Sequence, residues 1–295
     1  MSERATVADV VRLMRPAQWV KNGLVFAALV FSKHLFVADS AKRATMAFVS
    51  FCLLASAAYV LNDVRDADRD RLHPTKRLRP IAAGRVSAGL AVLLATALAT
   101  AAAVLGAILG GDFPKLALGY AALQIGYSFL LKDIVILDVM AIAAGFVLRA
   151  AAGGVAIDVE VSPWLIICTF LLAMFLGFSK RRHEVVLLEQ DAAAHRQSLR
   201  DYSPYFLDQM ISVVTASTVL AYAIYTVSPE VREKLHTDLL YLTVPFVLYG
   251  IFRYLYLVHQ REGGGDPTRA LLTDRPLWAN VILWIGTAIW LLYVR

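Results

Sequence analysis

Nine apolar runs of about twenty residues recur along the 295-residue chain, and each is long enough for a helix to cross a bilayer about 30 Å thick. They cover residues 18–36, 44–62, 87–110, 114–131, 134–153, 163–180, 209–228, 238–257 and 277–294. Hydrophobic residues make up 59% of the chain and the mean hydropathy is +0.61, above what a soluble domain carries. Charged residues sit in patches between the runs. The expected architecture is an all-α, polytopic membrane bundle of nine transmembrane helices. It forms one domain over 1–295, with 1–16 as an interfacial segment. On that segment Val7, Val10, Val11 and Met14 share a helical face, as in a helix lying at a membrane surface.

Most of the 29 lysines and arginines fall before the first run or after the even-numbered ones. By the positive-inside rule those segments and the N-terminus are cytoplasmic. The N-terminus lacks the pattern of a cleaved signal. A multi-pass protein of a bacterial-type plasma membrane is expected. The net charge of +6 suits anionic lipids or phosphorylated substrates. It is not a nucleic-acid signal, because the cations lie at membrane edges. Cys52 and Cys168 fall inside apolar runs and read as small core residues, not as a disulfide or metal pair. The sequence is compatible with a homo-oligomer.

The densest charge follows the second run, from Asn62 to Pro80. Residues four apart share a helical face, so Asn62, Asp66 and Asp70 form an oxygen-bearing stripe with Asp63 beside it. Clustered carboxylates repel unless a cation lies between them. Hard oxygen ligands suit Mg²⁺, which is commonly held by one or two carboxylates plus substrate phosphates. Lys76, Arg77 and Arg79 follow and offer charge-assisted hydrogen bonds to phosphate. His73-Pro74 should end the helix. The reading is a Mg²⁺–diphosphate site at the cytoplasmic end of a membrane helix. The competing reading is a solvated charge run.

A second basic patch, Lys180-Arg181-Arg182, ends the sixth run on the same side. It either serves phosphate or obeys the positive-inside rule. Glu184 lies one turn after Lys180 and can pair with it. Lys21 and Asn22 open the first run, where polar groups are functional suspects, with snorkelling of Lys21 as the alternative. Trp19 is placed to anchor at headgroup level. Arg149 lies deep in the fifth run, so it should face the bundle interior and brace other helices. Asp138, eleven residues earlier, is too far along the same helix to pair with it. The glycine-rich stretch Gly263-Gly264-Gly265 does not match a P-loop, and the histidines lack metal-binding spacing.

Together these stretches resemble the UbiA superfamily of membrane prenyltransferases. The resemblance rests on the spans and on the Asn-Asp-x-x-Asp-x-x-x-Asp stretch after the second. Three features are similar to the branch that transfers phosphoribose to decaprenyl phosphate. They are Arg15-Pro16-x-Gln18-Trp19-x-Lys21-Asn22; the Asn62–Gly84 stretch with His73-Pro74-Thr75-Lys76-Arg77 and Arg79-Pro80; and Lys180-Arg181 with Glu184. Where aromatic prenyltransferases of the superfamily carry a second acidic motif, this chain has Lys180-Arg181-Arg182. The resemblance implies transfer of 5-phosphoribose from 5-phosphoribosyl diphosphate to a polyprenyl phosphate. Diphosphate leaves, and the product serves cell-wall arabinan synthesis. It implies Mg²⁺ on Asn62, Asp63, Asp66 and Asp70, the last three being catalytic. Gln18, Lys21, Asn22, Lys76, Arg77, Arg79, Tyr127, Lys132, Lys180, Arg181 and Glu184 would bind substrate. Removing Arg181 would then weaken substrate use by roughly 1.5–3 kcal/mol. The alternatives are an aromatic prenyltransferase using a prenyl diphosphate and, in another class, a transporter of phosphorylated solutes.

Overall fold

In a lipid interior backbone groups find no water, so helices that satisfy their own hydrogen bonds are the natural answer to long apolar runs. The structure, a computed structural model, describes residues 6–72, 76–188, 201–261, 265 and 267–294. Among them every regular element is helical. The α-helices are α1 Val7–Met14, α2 Phe26–Phe31, α3 Ala38–Arg65, α4 Ala67–Leu72, α5 Ala88–Leu109, α6 Phe113–Phe129 and α7 Leu137–Ala156. They continue as α8 Pro163–Leu188, α9 Pro204–Val227, α10 Pro229–Leu235, α11 Val244–Gln260, α12 Pro267–Thr273 and α13 Arg275–Tyr293. Local chemistry sets several starts. Ser87, Ser203 and Asp274 accept hydrogen bonds from the backbone N–H three residues on, which caps α5, α9 and α13. Gly110 and Gly111, with φ of 70° and 55°, stop α5 and turn the chain into α6.

Seven helices are long and apolar enough to cross a membrane: 38–65, 88–109, 137–156, 163–186, 204–227, 240–260 and 275–293. They coincide with seven of the nine expected runs. The other two differ. Run 114–131 becomes α6, only 17 residues long. Run 18–36 is not one helix. A 3₁₀ helix, Pro16–Val25, follows Arg15 in the left-handed region (φ 53°) and hands over to the short α2. Its cause is tertiary. Trp19 Nε1 donates to Ser56 Oγ at 3.0 Å, and Asn22 accepts from Arg149 at 2.7 Å.

This segment lies hard against α7 at Gly153. A methyl group there would sit 2.0 Å from the Val25 carbonyl oxygen and 2.8 Å from its carbonyl carbon. Both are backbone atoms that cannot rotate away. Gly153→Ala is therefore expected to destabilise the protein by about 1–3 kcal/mol or more, the cost of overpacking. The melting temperature in detergent reports it, and an unchanged value would contradict this packing.

The helices run up and down between two ends. At one end Arg43 on α3 donates to the carbonyls of Ala156 (2.6 Å) and Leu109 (3.1 Å). The other end gathers α1, the close of α3, α4, the close of α6, the start of α7 and the close of α8. The largest apolar cluster joins α7, α8, α9 and α11 around Phe175, Phe178, Leu207 and Tyr254. A second, with Leu13, Val60, Ile81 and Leu98, seats α1 on α3 and α5.

In α1, Leu13 and Asp9 turn inward while Val7 and Val11 stay exposed, which leaves part of the expected apolar face uncovered. Asp9 completes a capping box with Thr6 and accepts from Arg85 Nε at 2.9 Å. The Thr6 hydroxyl, then the Arg85 guanidinium, hold its carboxyl below the usual carboxylate range. A depressed pKa means that the contact stabilises at neutral pH and is lost as the pH falls through that lowered value. Hydrogen exchange over α1 should thus stay protected at neutral and mildly acid pH and rise only below about 3.9, the ordinary aspartate value. Asp9→Asn should expose α1 at every pH. Release of α1 above pH 5 in the wild type would show that another group controls it.

Candidate active site

The last turn of α3 and the short α4 carry the acidic stretch. The chain bends at Asp66, which closes α3. Helical bonding nevertheless persists across the bend: Asp66 N donates to Asn62 O at 2.9 Å and Asp70 N to Asp66 O at 2.8 Å. The buried acids are not the expected stripe of Asn62, Asp66 and Asp70. They are Asp63 and Asp70, seven apart and 3% and 4% exposed. Two turns of helix bring positions seven apart to one face. Arg79 draws them together: one guanidinium nitrogen lies 3.1 Å from Asp63 Oδ1 and 2.7 Å from Asp70 Oδ2. Arg15 also pairs with Asp63. Asp66 turns aside to Arg65 at 3.0 Å, and Asn62 Oδ1 accepts from Ser128 Oγ at 2.7 Å.

Among the described residues no three of His, Cys, Asp or Glu gather as a metal site by themselves. Two buried carboxylates already converge on one cationic nitrogen, however. An all-oxygen pair of this kind fits a hard cation completed by water and substrate phosphate. Lys76 and Arg77 lie exposed on a short 3₁₀ turn, Lys76–Leu78, leading to Arg79. His73, Pro74 and Thr75, where the sequence places the end of this helix, lie outside the described residues.

The second basic patch reaches the same end of the bundle through Tyr127 and Ser128. Arg65 donates to the Ser128 carbonyl, and Arg181 Nη2 donates to the Tyr127 hydroxyl at 3.2 Å. Arg181 is not open to phosphate as the sequence suggested. Its side chain is 2% exposed, with Nε 2.6 Å from Asp138 Oδ2 and Nη1 on Glu184. Asp138 also accepts from the Tyr202 hydroxyl at 2.7 Å. That hydroxyl in turn takes the N–H of Ile136, a β-branched residue held at φ 70°. Burial raises the Tyr202 phenol above its ordinary pKa, so it remains a donor to Asp138. Lys180 pairs with Glu184 at 3.8 Å, as its spacing implied, and Arg182 pairs with Asp208. Lys132 is half-buried in the turn after α6.

The 3₁₀ segment supplies the third group. Gln18 Oε1 accepts from Thr268 Oγ1 at 3.4 Å. Asn22 is buried, accepting from Arg149 Nε and donating to Cys52 Sγ at 3.3 Å. Lys21 lines a cavity of about 390 Å³ inside the bundle. Its walls are mostly apolar, including Leu24, Phe146, Leu172, Leu176 and Val247; Lys21 and Thr268 stand at one end, Glu160 and Lys234 at the other. Cys52 and Cys168 are both free thiols. Sequence reasoning missed Arg15 as a partner of Asp63, and Asp138 as the counter-ion of Arg181. Arg15 carried one signal, its place directly before Pro16 beside the polar opening of the first run.

The sequence pattern of the UbiA prenyltransferase family matches residues 23–280. The chain belongs to this family. A decaprenyl-phosphate phosphoribosyltransferase of Mycolicibacterium smegmatis is 36% identical over 291 residues, covering 95% of this chain and 91% of the relative. One from Corynebacterium glutamicum is 35% identical over 289 residues, covering 96% and 86%. The UbiA fold is shared with a UbiA homolog from Archaeoglobus fulgidus solved bound to GPP and Mg²⁺. The TM-score is 0.73 at 20% identity, covering 96% of this chain and 99% of that one. The family and the seven long apolar helices make the chain a multi-pass membrane protein.

Proposed function

We propose that the protein transfers 5-phosphoribose from 5-phosphoribosyl diphosphate to a polyprenyl phosphate and releases diphosphate. The observation that carries this reading is the similarity, over about 95% of the chain, to two decaprenyl-phosphate phosphoribosyltransferases. The geometry supports it: paired acids, clustered cations and an apolar cavity meet at one end of the bundle. Breaking the ribose C1–O bond leaves positive charge on the sugar and negative charge on the departing diphosphate. Mg²⁺ held by Asp63 and Asp70, with Asn62 and Asp66 at the rim, would supply positive charge to that leaving group. Arg15 and Arg79 neutralise the two buried acids and offer guanidinium groups suited to phosphate oxygens. Lys76, Arg77, Lys132 and Lys180 add cations around the donor. Gln18 and Lys21 face the acceptor side, where its tail enters the cavity. The lipid phosphate is already an anion, so the attack needs no strong base. Arg181, Glu184 and Tyr127 act by holding α6, α7 and α8 in register.

Nine crossings remain the topology we favour. Ten 3₁₀ residues and six α-helical ones together span roughly 29 Å, close to the hydrocarbon thickness. The seventeen residues of α6 span about 26 Å. The concentration of cations at the site end supports a cytoplasmic active site. Cysteine placed at Lys76 should then resist an impermeant thiol reagent in intact cells, and cysteine at Lys234 should react. The opposite pattern would invert the orientation.

Purified protein given radiolabelled phosphoribosyl diphosphate and polyprenyl phosphate should yield lipid-extractable label only when Mg²⁺ is present. Prenyl transfer from a prenyl diphosphate to an aromatic acid, with no phosphoribosyl transfer, would overturn the assignment.

A further inference from the structure

Arg149 is a buried cation in the middle of α7, 5% exposed. Its guanidinium donates to Asn22 Oδ1 (2.7 Å), to the Gly145 carbonyl (2.9 Å) and to the Tyr120 hydroxyl (2.6 Å). It also lies over the Tyr120 and Phe146 rings, 4.7 and 5.2 Å from their centroids. All of these partners are neutral, and among the described residues no carboxylate pairs with it. Burying an arginine without a counter-ion is costly, and arginine does not lose its proton in proteins. Intramembrane cations that are kept despite that cost mark substrate or ion pathways. Other buried charges here do not share this feature: Arg181 has Asp138 and Glu184, while Asp63 and Asp70 have Arg79.

The surroundings of Arg149 indicate which anion its charge serves. Phe146, beneath the guanidinium, lines the apolar cavity. Asn22, which Arg149 grips, is the chain neighbour of Lys21, which lines the cavity. The Lys21 end of the cavity belongs to the Pro16–Val25 segment, which follows Arg15, the partner of Asp63. A polyprenyl tail lying in the cavity would leave its phosphate at the Lys21 end. We propose that Arg149 is a positioning residue for the acceptor's phosphate. It fixes the Pro16–Val25 segment through Asn22 and places an unbalanced positive charge behind Lys21, which holds that phosphate. This rests on the acceptor being a polyprenyl phosphate. It assigns the lipid phosphate to the Lys21 side and leaves the Arg79 side to the donor.

The test needs no donor. Purified protein in detergent is melted with a polyprenyl phosphate and, separately, with the polyprenol of the same length. The wild type should gain extra stabilisation from the phosphate. Arg149→Met should lose that difference while keeping the gain from polyprenol, and Arg149→Lys should retain part of it. In turnover, Arg149→Met should raise KM for the lipid phosphate about tenfold and leave KM for the donor nearly unchanged. Tenfold is the size of effect a unit charge exerts from roughly 10 Å at an effective dielectric of about 20. A folded Arg149→Met variant with the full phosphate-dependent gain would overturn the inference and leave the proposed reaction standing. If the wild type does not distinguish phosphate from alcohol, the acceptor assignment falls first. Should Arg149→Met fail to fold, Lys21→Met decides: loss of the phosphate-dependent gain supports the site, and its retention overturns it.

Discussion

Asp63→Asn is expected to abolish turnover while leaving a folded bundle. The carboxylate is buried beside Asp70, and both share one Arg79 nitrogen. Two acids held this close to a single cation can exchange it for a metal bound to the donor's diphosphate. An amide in place of either acid removes a full charge from the metal's ligand set. Metal stabilisation of a developing anion is worth several kcal/mol. Losing about 3 kcal/mol or more slows the reaction by at least roughly a hundredfold. The fold should tolerate the change, because Arg79 keeps Asp70 and the Arg15 side chain is 28% exposed and can reach water. Asp70→Asn should match it. Asp66→Asn tests the rim of the same set and should also impair turnover. A second readout separates binding from chemistry: Mg²⁺ with diphosphate should raise the melting temperature of the wild type but not of Asp63→Asn. Wild-type activity in both Asp63→Asn and Asp70→Asn would remove the metal role from this stretch.

Much of the fold was legible because hydrophobic length is a local property. Seven apolar runs gave seven long helices, and their boundaries moved where polar residues had structural work. Helix α3 begins at Ala38, before the expected start at 44, because Arg43 is used to cap carbonyls of α5 and α7. The run at 18–36 was misread as one helix. What breaks it is a hydrogen bond from Arg149, 127 residues away, and no local pattern carries that. The bracing role expected of Arg149 was readable, since a cation in hydrocarbon has few other fates. The acidic stretch was readable as a cluster, but not which acids face inward. Helical spacing favoured Asn62, Asp66 and Asp70. Arg15, arriving from another segment, and Arg79, later in the same stretch, hold Asp63 and Asp70 inward instead. For Arg181 the residues alone leave open a phosphate role, which the resemblance implies, and the positive-inside rule. Its partner Asp138 lies 43 residues earlier, on another helix.

That partnership makes Arg181 the second position with a large expected effect, and the effect falls on stability before substrate use. Arg181 and Asp138 have side chains 2% and 0% exposed, so neither can turn to water when the other is lost. Breaking a buried pair by removing one member costs about 3–5 kcal/mol, because a lone charge stays behind. Arg181→Met should therefore lower the melting temperature sharply. Glu184 is 29% exposed and recovers some hydration, so most of the cost sits on Asp138. Adding Asp138→Asn should restore part of the loss, since an amide carries no charge and can still accept from Tyr202. Arg181→Lys keeps the charge but cannot serve Asp138, Glu184 and Tyr127 together, and should fall between. A phosphate-binding role makes the contrary prediction: Arg181→Met would melt like the wild type and raise KM for phosphoribosyl diphosphate selectively. The double variant is the sharper discriminator, because Asp138→Asn cannot rescue a lost phosphate contact but can rescue an unpaired carboxylate.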